Sequence, residues 1–200
     1  MKDTFITKAS DWDSPERISM TKKFVDELLM HVSPLSTWKA LEIGAGTGLI
    51  GLQIEPFVSK VVFEDTSESM LNVLKQKLND DIKAEIFHAE VFEYKQRDID
   101  LIFSSMAFHH ITNIEKTLQH LAMITKTGAW VVVGDLETED GSFHGFEPVP
   151  HLGFDTSILS EQFRQNGFDV KSVNIYNTIS KGIDSIIMNY EQFILIAQRK

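Results

Sequence analysis

The sequence predicts an α/β fold in which a parallel sheet is covered by helices on both faces. Three observations carry it: short apolar runs suited to buried strands, helical patterns between most of them, and a glycine-rich turn at the end of the first run. Sheets of this kind bind ligands at the carboxyl ends of their strands, and the glycine turn sits at such an end.

The elements follow in order. Ser14-Pro15 supplies an N-cap and first residue for an opening helix, and Ile18, Val25, Leu28, Leu29 and Val32 fall near one of its faces before Pro34 stops it. Lys39 to Ile43 is the first strand. Gly44, Gly46 and Gly48 then permit a tight turn, and a helix carrying Leu49, Ile50, Leu52 and Ile54 begins. Strand-like runs recur at Lys60 to Glu64, Ile82 to Phe87, Ile99 to Ser104 and Ala129 to Asp135. One intervening helix places Met70, Leu71, Leu74 and Leu78 together, and another places Ile114, Leu118, Leu121 and Ala122, with Thr112-Asn113-Ile114-Glu115 as its capping box. Residues 136–156 are too long and irregular for an ordinary connection and read as a lid-like loop. A last helix from Ser157 to Asn166 stops at Gly167, and strand-like stretches follow at Phe168 to Tyr176 and Gln192 to Ala197.

Composition narrows the function. At 200 residues and 42% hydrophobic content the chain suits one domain, 1–200, in which residues 1–35 form an N-terminal helical cap segment. The net charge of -10 opposes tight binding to nucleic-acid phosphate and favours small, neutral or cationic substrates. With no cysteine there is no disulfide framework, thiolate nucleophile or cysteine metal site. The charged leader MKDTFITKASDWD reads as neither signal peptide nor membrane anchor, so the expectation is a cytoplasmic protein without a membrane partner, monomeric or homodimeric.

The segment LEIGAGTGLI, residues 41–50, resembles the first motif of the class I S-adenosylmethionine (SAM) dependent methyltransferases, E-x-G-x-G-x-G after a strand. Read from Gly46, GTGLIG also satisfies the dinucleotide fingerprint G-x-G-x-x-G, with Asp65 about 20 residues on. Later segments choose between them. Asp65-Thr66-Ser67 with Met70-Leu71 is similar to the methyltransferase continuation D-x-S-x-x-M-L, and SSMAFHH after the fourth strand matches no dehydrogenase motif. ASDWDSPER, SSMAFHH, EDGSFHG and HLGFD together resemble one group of small bacterial methyltransferases over nearly the whole chain. The resemblance implies a Rossmann-like, doubly wound, mostly parallel seven-stranded sheet with an antiparallel C-terminal strand.

It also implies the site. Gly44, Ala45, Gly46 and Gly48 would shape the cofactor turn, and Glu42 would face the methionine ammonium unless it is a strand-end acid paired elsewhere. Asp65, with Glu64 as competitor, would accept from the ribose hydroxyls, with Thr66 and Met70 beside it. His88, Ala89 and Glu90 occupy the adenine segment; His88 stands where an aspartate is common, and both it and Glu90 also read as ordinary loop residues. Ser104, Ser105 and Met106 would wall the cofactor, and Trp12, Phe108, His109 and His144 would line the acceptor pocket, with core packing the competing role for Met106 and Phe108. His144 and His151 with Glu139 or Asp140 have a loop role in preference to holding a metal, and no metal is expected.

The function so implied is methyl transfer from SAM to a small-molecule acceptor by direct in-line displacement, where orientation alone can supply roughly 7–11 kcal/mol. A hydroxyl or ammonium acceptor needs a base, for which His109 or His110 is placed. A non-catalytic SAM-binding regulator and an NAD(P)-binding oxidoreductase are the alternatives.

Overall fold

The computed structural model describes residues 6–146, 148–183 and 186–200. Residues 1–5 of the N-terminal cap and residue 147 of the lid lie outside the described residues. Seven strands form one sheet in the order β3-β2-β1-β4-β5-β7-β6: β1 is Lys39–Ile43, β2 Lys60–Asp65, β3 Ala84–His88, β4 Ile99–Ser105, β5 Thr125–Leu136, β6 Phe168–Ile183 and β7 Ile186–Arg199. The helices are α1 Pro15–His31, α2 Gly51–Ile54, α3 Glu68–Lys77, α4 Ile114–Ile124 and α5 Thr156–Gln165. Pairings from β1 through β5 are parallel, and β7 runs antiparallel to both β5 and β6. Strand order reverses between β1 and β4, which is where a doubly wound sheet opens a crevice.

Strand alternation divides the core into two layers. Leu41 and Ile43 join Ile102, Val131, Val133, Leu118 and Phe163 under α4 and α5, whereas Ala40, Phe63, Phe103 and Val132 pack with Phe24, Leu28 and Leu71 under α1 to α3. Phe24 and Leu28 are fully buried, each contributing about 1.5–3 kcal/mol by removal from water. The same alternation turns Glu42 toward the α1 to α3 face and Asp135 toward the opposite one.

Local chemistry sets most boundaries. Ser14 caps α1 by accepting from the Arg17 amide, and Pro15 occupies the first turn. Ile18, expected on the apolar face, is 48% exposed, and Thr21 and Phe24 are buried instead. The helix after the glycine turn is only four residues long, because Pro56 cannot continue it and a 3-10 turn over Glu55–Phe57 follows. Asn113, not Thr112, caps α4, its Oδ1 accepting from the Lys116 amide at 2.9 Å, so the capping box is not formed. Asp155 caps α5 through the Ser157 and Ile158 amides, one residue earlier than expected. The largest difference lies at the end of the chain: β6 and β7 continue past Tyr176 and before Gln192 as a long hairpin paired out to Ile183 and Ile186. Apolar residues there, such as Ile186 and Ile187, are exposed, so the segment lacks the buried face that marks a strand in sequence.

Candidate functional site

The glycine turn is fastened to the end of β2. The Ala45 amide donates to the Glu64 carbonyl at 2.8 Å, the Gly44 amide to Glu64 Oε2 at 3.3 Å, and the Gly46 amide to Asp65 Oδ2 at 2.7 Å. Gly44 and Gly46 have φ of +68° and +54°, a conformation that side-chain-bearing residues rarely adopt. Their missing side chains serve different ends. A Cβ on Gly44 would lie 2.4 Å from the Ala107 methyl, so this glycine admits the β4 turn; a Cβ on Gly46 would find nothing nearer than Met70 Cε at 3.9 Å, so this one leaves open space. The open face of the turn at Gly46 and the Asp65 carboxylate therefore share one mouth.

Asp65 accepts from Gly46 and, through Oδ1, from the Ser67 amide at 2.8 Å. A carboxylate is an acceptor with two oxygens, which suits a pair of vicinal hydroxyls. Its competitor Glu64 is buried, and burial followed by the neighbouring Asp65 charge raises its carboxyl well above the usual range. Glu42 is likewise buried beneath the turn, where Oε2 accepts from the Gly51 amide at 3.0 Å. Burial raises its carboxyl too, opposed by that bond. Of the predicted acids, Asp65 is the one at the mouth, while Glu42 and Glu64 underpin it.

The remaining cofactor candidates gather around that mouth. Met70 is buried at the start of α3, its amide capped by Ser67 Oγ. His88 is paired with Asp65 in register at the neighbouring strand end, exposed, with Nε2 3.3 Å from the Thr66 carbonyl oxygen. Ala89 is half-buried and Glu90 exposed beside it. Ser104 is buried and donates to the Ile43 carbonyl at 2.9 Å, tying β4 to β1 at the crevice. Ser105 lies beside the Tyr176 hydroxyl. Met106 has φ of +57°, an uncommon conformation for a residue with a side chain, and its amide donates to Gly134.

Ala107, packed on Gly44, is two residues before His109, so the same turn reaches the acceptor side. His109 is 1% exposed and Asp135 is completely buried. Nδ1 of His109 lies 2.7 Å from Asp135 Oδ1, and the His109 amide donates to Oδ2 at 3.1 Å. A carboxylate can only accept here, so Nδ1 carries the hydrogen and Nε2 keeps its lone pair. That Nε2 is buried without a protein partner. The rings of His110 and His144 flank it at 4.2 and 4.9 Å between centroids. Desolvation, then the neighbouring His109 and His144, pushes the His110 imidazole down to about 4, and burial lowers His144 as well, so the flanking wall is neutral near neutral pH. Phe108 is fully buried in the core under α4, so its ring takes the packing role.

The loop of residues 136–156 packs against this wall. Phe154 and Glu139 amides return to Leu136 and Leu152 carbonyls, fastening its base. Ser142 Oγ lies 2.6 Å from the Tyr190 hydroxyl. His151 Nε2 sits 2.9 Å from the Ile111 carbonyl, Glu139 accepts from the Gly141 and Phe143 amides, and Asp140 caps Ser142. These residues therefore shape the loop, and among the described residues no group of three or more His, Asp or Glu is arranged to hold a metal ion. On the other side the leader reaches across. Asp13 accepts from Thr47 Oγ1 at 2.5 Å and pairs with Lys77, whose Nζ also donates to the Thr47 carbonyl. Trp12 stacks on Arg17 with its ring 4.0 Å from the guanidinium carbon.

Sequence reasoning missed Asp135, Asp13 and Thr47, and the hairpin residues Tyr176, Lys181, Tyr190 and Gln192. Asp135 carries a readable signal, since an acid ending an apolar strand is the same pattern that singled out Glu42 and Asp65. The hairpin residues carry none.

A doubly wound seven-stranded sheet with a glycine turn after β1 and a carboxylate ending β2 is an arrangement that fits the class I SAM-dependent methyltransferases. Residues 41–131 match the family described as a methyltransferase domain. An uncharacterized methyltransferase of Schizosaccharomyces pombe is 28% identical over 52% of this chain and 41% of its own length. The chain thus spans less than half the length of the first curated relatives it matches. Among solved structures, a methyltransferase in complex with the Trm112 methyltransferase activator of Haloferax volcanii superposes with TM-score 0.82 at 14% identity, covering 100% of this chain and 99% of that one. A SAM-dependent methyltransferase from Aquifex aeolicus superposes with TM-score 0.71 at 20% identity, covering 98% of both chains. At these identities the likeness is one of fold.

Proposed function

We propose that the chain transfers a methyl group from SAM to a small-molecule acceptor, with His109 as the base. The observation that carries this reading is the juxtaposition of two prepared ends on one crevice: the Gly46 and Asp65 mouth, and the buried His109 and Asp135 pair, joined by the short β4 turn that packs Ala107 on Gly44. The residues fit the cofactor. Gly46 leaves room for it, Asp65 would accept from the ribose hydroxyls, and Met70, His88 and Ala89 would border the adenine. Glu42 and Glu64 would act through the turn they support.

Held at the Gly46 and Asp65 mouth, SAM would supply an electrophilic methyl on a sulfonium whose sulfur keeps the bonding electron pair on departure. His109 Nε2 takes the acceptor's proton, while Asp135 holds the imidazole and stabilises the positive charge it acquires. The lid and the leader exclude water and align the acceptor, the largest contribution a one-step displacement needs.

Titration calorimetry with SAM and S-adenosylhomocysteine tests the cofactor, and turnover of labelled SAM against acceptor pools tests the reaction. The expected result is binding of both and a shift in melting with SAM but not NADH; saturation at a hundredfold over Kd adds about 2.7 kcal/mol. Binding of neither compound overturns the reading. Binding without turnover favours a regulator that senses SAM.

A further inference from the structure

Helix α1 lies along β6, and its contacts fix which residues meet. Phe24 approaches Tyr176 edge-on with centroids 6.0 Å apart, and Lys23 Nζ donates to Asn177 Oδ1 at 2.7 Å. Continuing toward the start of the helix and the tip of the hairpin, Arg17 comes close enough to Lys181 for the two charges to repel. Both side chains are half-buried. Arg17 is held by the Trp12 ring and carbonyl, the latter at 3.2 Å. Lys181 Nζ donates to the Phe143 carbonyl at 2.9 Å and rests 3.5 Å from the centroid of the Phe143 ring.

Neither cation has a carboxylate within ion-pair distance among the described residues. That is unexpected in a chain with 29 acidic residues against 19 basic ones. Glu139, the acid that acts on Lys181, spends Oε2 on the Gly141 and Phe143 amides. Among the described residues these two adjacent cations are held by carbonyls and aromatic faces, without the ion-paired carboxylate that partly buried charges favour. Burial and the Arg17 charge lower the Lys181 ammonium accordingly.

This cationic pair belongs to the acceptor side. Phe143, on which Lys181 rests, meets His144 at 5.0 Å, and His144 meets His109 at 4.9 Å. Buried polar atoms without protein partners collect in the same region: His109 Nε2, His144 Nε2, Glu139 Oε1 and Gln192 Nε2. Gln192 is the register partner of Leu136, next to Asp135. Buried polar atoms of this kind are met by ordered water, an ion or a polar ligand.

We propose that Arg17 and Lys181 bind an anionic group, a carboxylate or a phosphate, carried by the methyl acceptor at the end remote from the atom that His109 deprotonates. The proposal rests on the reading of this site as an acceptor pocket. The anion docks and is not itself methylated, so the product keeps its negative charge.

The test uses the protein saturated with S-adenosylhomocysteine and titrated with inorganic phosphate and, separately, with acetate. Binding of one or both is expected at millimolar concentration, and the stronger of the two identifies the kind of anion. Lys181→Met should weaken it at least tenfold, Lys181→Arg should retain most of it, and both variants should bind S-adenosylhomocysteine as the parent does. With labelled SAM and a metabolite extract, the labelled product should be retained on an anion-exchange resin, and its yield should fall at least tenfold in Lys181→Met. Intact S-adenosylhomocysteine binding with no binding of either anion overturns this proposal alone, as does anion binding indifferent to Lys181→Met or a labelled product that the resin does not retain. Failure of the parent to bind S-adenosylhomocysteine overturns the methyl-transfer reading and this proposal with it.

Discussion

Replacing Asp135 separates its structural role from the chemical one proposed for the pair it forms. Its carboxylate accepts from the His109 amide at 3.1 Å, from His109 Nδ1 at 2.7 Å and from the Leu136 amide at 2.8 Å, and the side chain is completely buried. Asp135→Ala leaves three buried donors without an acceptor. At about 1–2 kcal/mol for each, the loss is about 3–6 kcal/mol, which for a domain of this size lowers Tm by roughly 6–24 °C. Asp135→Asn keeps the volume and one acceptor oxygen but can present an N–H toward His109. The imidazole then accepts at Nδ1 and carries its hydrogen on Nε2, the wrong tautomer for a base. Turnover should fall by about 10²–10⁴, while S-adenosylhomocysteine binding stays within a few fold. Nitrogen-15 spectra of the His109 ring report the tautomer without any acceptor, and thermal melts report the stability. An Asp135→Ala protein that melts within a degree or two of the parent, or an Asp135→Asn protein whose His109 keeps its hydrogen on Nδ1, would refute the reasoning.

Gly46→Ala should cost only about 1–2 kcal/mol of backbone strain, because its Cβ meets open space, yet weaken S-adenosylhomocysteine binding at least tenfold in calorimetry. Gly44→Ala should be the more destabilising of the two in a urea melt, since its Cβ collides with Ala107. The His110 imidazole, held at about 4 in the fold against an ordinary value near 6.5, binds its proton in the unfolded chain first, so its contribution is present above 6.5 and lost as pH falls toward 4. His110→Gln should therefore flatten the loss of stability across that window relative to the parent, measured as the difference between two melting series. Buried Glu42 and Glu64, with raised carboxyls, act in the opposite sense: their contribution is present below the usual glutamate value and lost as pH rises above it. Glu64→Gln should thus narrow the difference in Tm between pH 4 and pH 7 contributed by these groups. Asp13→Asn should change stability by less than about 1 kcal/mol, because its pairing with Lys77 is partly exposed, but should accelerate proteolysis of the leader around Trp12.

The parts of the fold legible in the sequence are those whose signal is local. The strands β1, β2, β4 and β5 announce themselves as apolar runs because both faces are buried, and Ser14-Pro15 and Gly167 mark helix ends through backbone chemistry that any fold would impose. Asp65 is legible for the same reason, since only the side chain at the strand end can reach a turn that starts from the neighbouring strand. Glu42 is half legible: the acid beside the glycines is unmistakable, yet strand alternation points it beneath the turn, and that direction follows from where Leu41 and Ile43 pack. The His109 pair is beyond a linear reading, because it joins a residue of the turn after β4 to one 26 positions on in β5. Lys181 and Tyr190 lie further still from reach, on a hairpin whose exposed residues alternate without an apolar face.

That hairpin divides the labour of the molecule. Gln192 is the outermost residue of β7 to pair with β5; beyond it the Glu191 carbonyl accepts from the Glu137 amide, and residues 186–191 otherwise pair with β6. The outer hairpin is held by pairing between β6 and β7 and by contacts with α1 and the 136–156 loop, and β1, β4 and β5 stand between β7 and the Asp65 end of β2. On the proposed reading, changes of sequence there would revise what receives the methyl group and leave what donates it in place.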